Sequence, residues 1–200
     1  MGNPKCRFSG KPLKHVMCDL GMSPMANSYV KFEHADAAEK HYPLKVWVSE
    51  DSLLAQLDEF ESPDAIFSDY LYFSSFSTSW VEHARRYCDM MVERFGFNEK
   101  SQIVEIASND GYLLQHFKAK GIPVLGVEPA ANVAKVAWEQ KQIPSVVKFF
   151  GVQTAKELVA DGKAADLLLG NNVMAHVPDI NDFIGGLKIA LKPGGIIMSQ

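Results

Sequence analysis

From residue 101 onward, short apolar runs alternate with stretches whose apolar positions recur every three or four residues. Ile103-Val104-Glu105-Ile106-Ala107, Val124-Leu125-Gly126-Val127-Glu128 and Ala165-Asp166-Leu167-Leu168-Leu169-Gly170 are too short for helices and end on turn residues, so they read as buried strands. The pattern predicts strands at 103–107, 124–128, 145–150, 165–170 and 195–199, and helices at 111–120, 131–141, 153–161 and 179–191. Strands alternating with helices at this spacing predict a parallel sheet with crossover helices, an α/β, Rossmann-like doubly wound fold. Gly121 sits where a glycine ends the first helix, with Pro123 beyond it. Lys192-Pro193-Gly194-Gly195 ends the last helix and turns into the final strand.

Before residue 100 the pattern changes. Residues 1–60 are short-patterned and rich in Pro and Gly, a small irregular lobe with strands expected only at 13–19 and 44–48. Residues 61–100 hold a strip dense in aromatics and hydroxyls, Asp69 to Trp80, followed by a helix. Ser79 and Glu82 have the spacing of a capping box, and Val81, Ala84, Cys88, Met91, Val92 and Phe95 share one face, which should pack on the sheet. The organisation expected is therefore a lobe (1–60), a lid and connecting helix (61–100) and a sheet domain (101–200).

Composition narrows the function. A hydrophobic fraction of 47% with 22% charged residues suits a packed core. A net charge of −4 with interspersed signs leaves no footprint for nucleic acid. No apolar run is long enough to span a bilayer, and Met1-Gly2-Asn3-Pro4-Lys5 has no signal-peptide core. Three widely spaced cysteines fit a reducing compartment, so a cytoplasmic location without membrane association is expected, with the oligomeric state open.

The chemistry concentrates where the first strand meets its helix, at Ala107-Ser108-Asn109-Asp110-Gly111-Tyr112-Leu113. A turn at a helix N-terminus offers free backbone N–H groups, and an acid closing the next strand, here Glu128, can grip both hydroxyls of a ribose. A glycine-rich version of this turn would carry glycines at 107, 109 and 111. Only Gly111 is kept, with Asn109 the next best residue for a left-handed backbone and Ala107 small enough for close approach. Asp110 stands where a dinucleotide's pyrophosphate would lie, and two like charges about 4 Å apart cost roughly 4 kcal/mol at an effective dielectric near 20. A cationic nucleoside without phosphates reverses the sign, and S-adenosylmethionine has that property. Gly170-Asn171-Asn172 suits the floor of an adenosine pocket, with Val173 or Met174 against the base. Phe149 reads as core, while Phe150 is divided between core and adenine. His176, just beyond, stands between a structural role and acid–base chemistry at the crevice mouth. The other five histidines have no metal-ligand spacing.

Asp69-Tyr70-Leu71-Tyr72 with its serines, Glu105 to Leu114, Gly126-Val127-Glu128-Pro129-Ala130 and Asn171 to Pro178 together resemble the sugar C-methyltransferases over nearly the whole chain. These are class I S-adenosylmethionine-dependent enzymes acting on nucleotide-linked keto-deoxysugars. The resemblance implies a nucleotide sugar as small-molecule substrate. It places Tyr72 and His176 as catalytic residues facing methyl group and substrate. Tyr70, Glu105, Ala107, Ser108, Asn109, Asp110, Gly111, Tyr112, Leu113, Glu128, Pro129, Phe150, Asn171 and Asn172 then form the cofactor site. Two departures follow. The family's paired Cys-x-x-Cys motifs hold a structural zinc, whereas this chain has Cys6-Arg7-Phe8-Ser9 and Ser49-Glu50-Asp51-Ser52. Cys6 alone is kept, so no zinc is expected. The family also continues past the fifth strand into a base-bearing segment and a sugar-binding domain, so the chain is expected to be a truncated form. A cofactor-binding remnant without turnover, or a small-molecule O- or N-methyltransferase, remains the alternative.

Overall fold

The structure is a computed structural model that describes residues 4–26, 28–67 and 70–199; Asp69 and Gln200 lie outside them. It divides into two compact units, residues 1–62 and 63–200.

The first unit is built on an antiparallel sheet of β1 (His15–Pro24), β2 (His41–Val48) and β3 (Ala55–Leu57), in that order. It is more regular than the sequence suggests. β1 extends well past the expected 13–19, and β3 carried no expectation at all. The reason is visible in β1, nearly all of whose side chains are exposed, so neither face imposes an alternating pattern.

The second unit contains a five-stranded parallel sheet of order β6-β5-β4-β7-β8. Its strands are β4 (Ile103–Ile106), β5 (Val124–Val127), β6 (Ser145–Val146), β7 (Ala165–Gly170) and β8 (Leu191–Ser199). The order reverses beside β4, which creates a crevice at the carboxyl ends of β4, β5 and β7. The Rossmann-like α/β expectation is met.

Alternation along the strands feeds two cores. Ile103, Leu167 and Leu169 join Ala84, Cys88 and Met91 of α2 (Thr78–Phe95) and Leu114 and Phe117 of α3 (Leu114–Ala119). Val104, Ile106 and Leu168 face the other way, onto Ala155 and Leu158 of α5 (Val152–Ala160) and Phe183 and Leu187 of α6 (Ile180–Ala190). Short helix α1 (Pro63–Phe67) and α4 (Ala131–Lys141) complete the unit. Each fully buried Leu or Ile contributes about 1.5–3 kcal/mol, so the central strands anchor everything the crevice carries.

Several local expectations are corrected. The cap of α2 is Ser77, whose hydroxyl accepts the Trp80 N–H at 3.3 Å, and not Ser79. Phe95 and Phe149 are each 40% exposed, so neither is core. The first crossover helix begins at Leu114, because Gly111 holds a left-handed φ of 75°. The third strand is confined to two residues. β8 starts at Leu191 and takes up the Lys192–Gly195 stretch as a bulge, since Ala165 and Leu167 of β7 pair with Leu191 and Ile196.

Candidate active site

Three left-handed residues shape the turn after β4: Ala107 (φ 52°), Asn109 (φ 51°) and Gly111 (φ 75°). They occupy the positions a glycine-rich loop would give to glycine. Gly111 is doubly required, because a Cβ there would come within 2.8 Å of the Ile143 side chain. Ala107 bears a cost of about 1–2 kcal/mol for this conformation.

Glu128, just past the end of β5, is buried and fixed by two backbone donors. Asn109 N–H donates to Oε2 and Ala130 N–H to Oε1, each at 2.9 Å. Burial raises the Glu128 carboxyl above its usual range, against the lowering effect of those two bonds. The loop and the ribose-gripping acid of the sequence reading are thus held together. Glu105 is still deeper. Burial holds its carboxyl well above the ordinary value, opposed by hydrogen bonds from Asn171 and Tyr112 and reinforced by Glu128 and Asp110. Asn171 Nδ2 lies 3.4 Å from Glu105 Oε1 and 3.1 Å from the Tyr112 hydroxyl, which ties the end of β7 to β4 and to the loop after it.

Asp110 corrects the charge argument. Its Oδ2 lies 3.5 Å from the Lys141 ammonium, which also donates to the Asp110 carbonyl at 2.8 Å. Its negative charge is therefore largely compensated, which weakens the electrostatic case against a dinucleotide's pyrophosphate. Glu105 Oε2 and Asp110 Oδ1 have no hydrogen-bond partner among the described residues, although both side chains are almost wholly buried. Such atoms call for a donor that the protein itself does not supply.

The aromatic strip is tied to this loop through its backbone. Asn109 Oδ1 accepts the Ser74 N–H (2.8 Å) and Nδ2 donates to Tyr72 O (3.0 Å). Asp110 Oδ2 accepts the Ser75 N–H at 3.2 Å. Asn132 makes the same two-way clasp on Tyr70, with 3.4 Å from its N–H and 2.9 Å to its carbonyl. Tyr70 is raised by burial and by the neighbouring Tyr72 and Glu128. Their rings meet edge-on at 6.4 Å, with Tyr72 53% exposed.

Other residues stand apart. Ser108 is fully buried, and a Cβ on Gly126 would come within 2.3 Å of its hydroxyl, so its side chain faces β5. Phe150 is half-buried and packs edge-on against Phe183 at 5.5 Å, at the margin of the second core. His176 is exposed, and its backbone N–H donates to Val173 O. Asn172 is exposed too, with φ 53°.

One groove draws together residues the sequence reading had kept separate. Tyr112, Leu113 and Asn171 line it with Trp80, His83, Ala84, Tyr87, Met198 and Ser199. Trp80 stacks on His83 at 5.2 Å and on Tyr112 at 6.0 Å. Trp80, His83, Ala84 and Tyr87 follow helical i, i+3, i+4, i+7 spacing, the one sequence signal that could have assigned them to a common face.

With this geometry established, the relatives are informative. Residues 80–200 match the family described as "Methyltransferase domain". The chain belongs to that family. Residues 6–67 match the family described as "Putative zinc binding domain". C-methyltransferase NovU of Streptomyces niveus is 31% identical over 196 residues, covering 98% of this chain and 46% of its own. A ubiquinone biosynthesis O-methyltransferase of Methylobacterium sp. (strain 4-46) is 29% identical over 97 residues, covering 48% of this chain and 39% of its own. The chain spans less than half the length of either relative. A solved SAM-dependent methyltransferase from Thiobacillus denitrificans, in complex with S-adenosyl-L-homocysteine, aligns at 13% identity with a TM-score of 0.43, over 57% of this chain and 47% of its own. No helix among the described residues is long and apolar enough to cross a membrane.

Proposed function

We propose that this chain is the cofactor-binding part of an S-adenosylmethionine-dependent methyltransferase acting on carbon of a nucleotide-linked keto-deoxysugar. The observation that carries the reading is Glu128: a buried carboxylate at the carboxyl end of β5, held by two backbone N–H groups beside a loop with three left-handed residues. An acid fixed this way keeps lone pairs for a vicinal diol. The unpartnered Oδ1 of Asp110 suits a ligand with ammonium or amine donors.

When bound, S-adenosylmethionine supplies an electrophilic methyl group. The chain's share is alignment and exclusion of water. Glu128 holds the ribose, and the clasped strip of Tyr70 to Ser75 covers the loop. Tyr72 and His176 stand on the substrate side. There, Tyr72 or His176 takes the proton alpha to the sugar ketone or donates to the oxygen on which charge develops. The name borne by NovU supports carbon as the methylated atom. Oxygen methylation of a different small molecule is the second reading, supported by the ubiquinone biosynthesis O-methyltransferase relatives.

Transfer of labelled methyl to a dTDP-4-keto sugar, compared with a catechol, tests the assignment. The reading expects label on a sugar carbon and a loss of rate in Tyr72→Phe and His176→Gln. Label on the catechol alone would replace it with the second reading.

A further inference from the structure

Two loops of the first unit repeat one backbone pattern. In the first, Cys6 N–H donates to Lys11 O and Gly10 N–H to Cys6 O, both at 2.8 Å, and Ser9 N–H points at Cys6 Sγ at 3.5 Å. In the second, Ser49 N–H donates to Leu54 O at 3.0 Å, Leu53 N–H to Ser49 O at 3.1 Å, and Ser52 N–H to Ser49 Oγ at 3.4 Å. The fifth position is left-handed in both, at Gly10 (φ 73°) and Leu53 (φ 59°). A leucine bears about 1–2 kcal/mol there. So the second loop holds its shape against its own sequence.

The loops meet through side chains. Cys6 Sγ lies 3.4 Å from the Ser52 hydroxyl, and Ser9 donates to Asp51 Oδ1 at 3.2 Å. The Ser49 hydroxyl also donates to Asp51, and Lys11 pairs with that carboxylate at 3.1 Å. Cys6 and Ser49 are each 2% exposed.

Two loops presenting their first and fourth side chains toward each other form the layout of a tetrahedral metal site with C-x₂-C spacing. The donors do not fit one. A single thiol and three neutral hydroxyls cannot supply the ionised soft ligands that zinc takes. Among the described residues no group of three or more His, Cys, Asp or Glu could hold a metal ion. We infer that this is a metal-free pair of knuckles, closed by hydrogen bonds among Cys6, Ser9, Ser49, Asp51 and Ser52, whose backbone still accepts a zinc ion once thiols replace the three serines. Hydroxyl and amide hydrogens then surround the sulfur where a metal would.

The test compares the wild-type chain with Ser9→Cys/Ser49→Cys/Ser52→Cys by metal analysis, cobalt absorption spectra and melting with and without chelator. The wild type should hold no stoichiometric zinc and melt unchanged in chelator. The triple variant should take one zinc ion, show tetrahedral cobalt–thiolate bands and lose stability on chelation. If it folds only with zinc, the inference stands. A wild type that carries one zinc ion, or a triple variant that binds none or fails to fold with zinc, overturns it. None of these readouts depends on methyl transfer.

Discussion

Replacing Asn109 tests how the aromatic strip is held. Its carboxamide accepts the Ser74 N–H at 2.8 Å and donates to Tyr72 O at 3.0 Å, while its backbone sits at φ 51°. Asn109→Gly keeps the left-handed conformation and removes both bonds. Each is worth about 1 kcal/mol net, and leaving a buried N–H unpaired costs about 1–3 kcal/mol. Ser74 is 7% exposed, so water does not readily replace the lost acceptor. The expected loss is about 2–4 kcal/mol, with Asn109→Ala about 1 kcal/mol worse because alanine resists φ > 0. Urea unfolding gives the totals, and amide exchange at Ser74 locates them: 2 kcal/mol of local opening is about a 30-fold faster exchange. Stability within about 0.5 kcal/mol of wild type in both variants, with Ser74 protection unchanged, would refute the clasp.

Further expectations are direct. Glu105 has a raised folded-state value, so its ionisation opposes folding: stability is highest at low pH and falls as pH rises from the ordinary 4.5 toward the folded value. Glu105→Gln should therefore gain in melting temperature over wild type as pH goes from acid to neutral, and a pH-independent difference would contradict the burial argument. Lys141→Met strands the buried Asp110 carboxylate and should cost about 3–5 kcal/mol in urea unfolding, largely recovered by adding Asp110→Asn. Without that recovery the pair is not what the substitution breaks.

The sheet was legible because β4, β5 and β7 are buried on both faces and so carry unbroken apolar runs. The turn was legible at Asn109 and Gly111, where residue type reports backbone conformation, and less so at Ala107, whose left-handed φ no propensity announces. The Lys141–Asp110 pair could not be read, since it spans 31 positions and depends on where α4 ends. The Asn132 clasp, linking positions 62 apart, was hidden for the same reason. Ser77 and Ser79 are equally good caps by type, and only the extended backbone at Ser77 decides between them. In the first unit, exposure of β1 erased the periodicity that would have revealed its length.

The central claim is that Glu128 grips the ribose of a cationic adenosine derivative. Calorimetry of S-adenosylmethionine, S-adenosylhomocysteine and NAD against the wild-type chain and Glu128→Ala tests it most directly. The account predicts binding of the first two and not the third, with affinity falling about 100-fold in the variant as two hydrogen bonds to a carboxylate, about 1.5 kcal/mol each, are lost. Binding of NAD in place of S-adenosylmethionine, or an undiminished affinity in a folded Glu128→Ala, would contradict it.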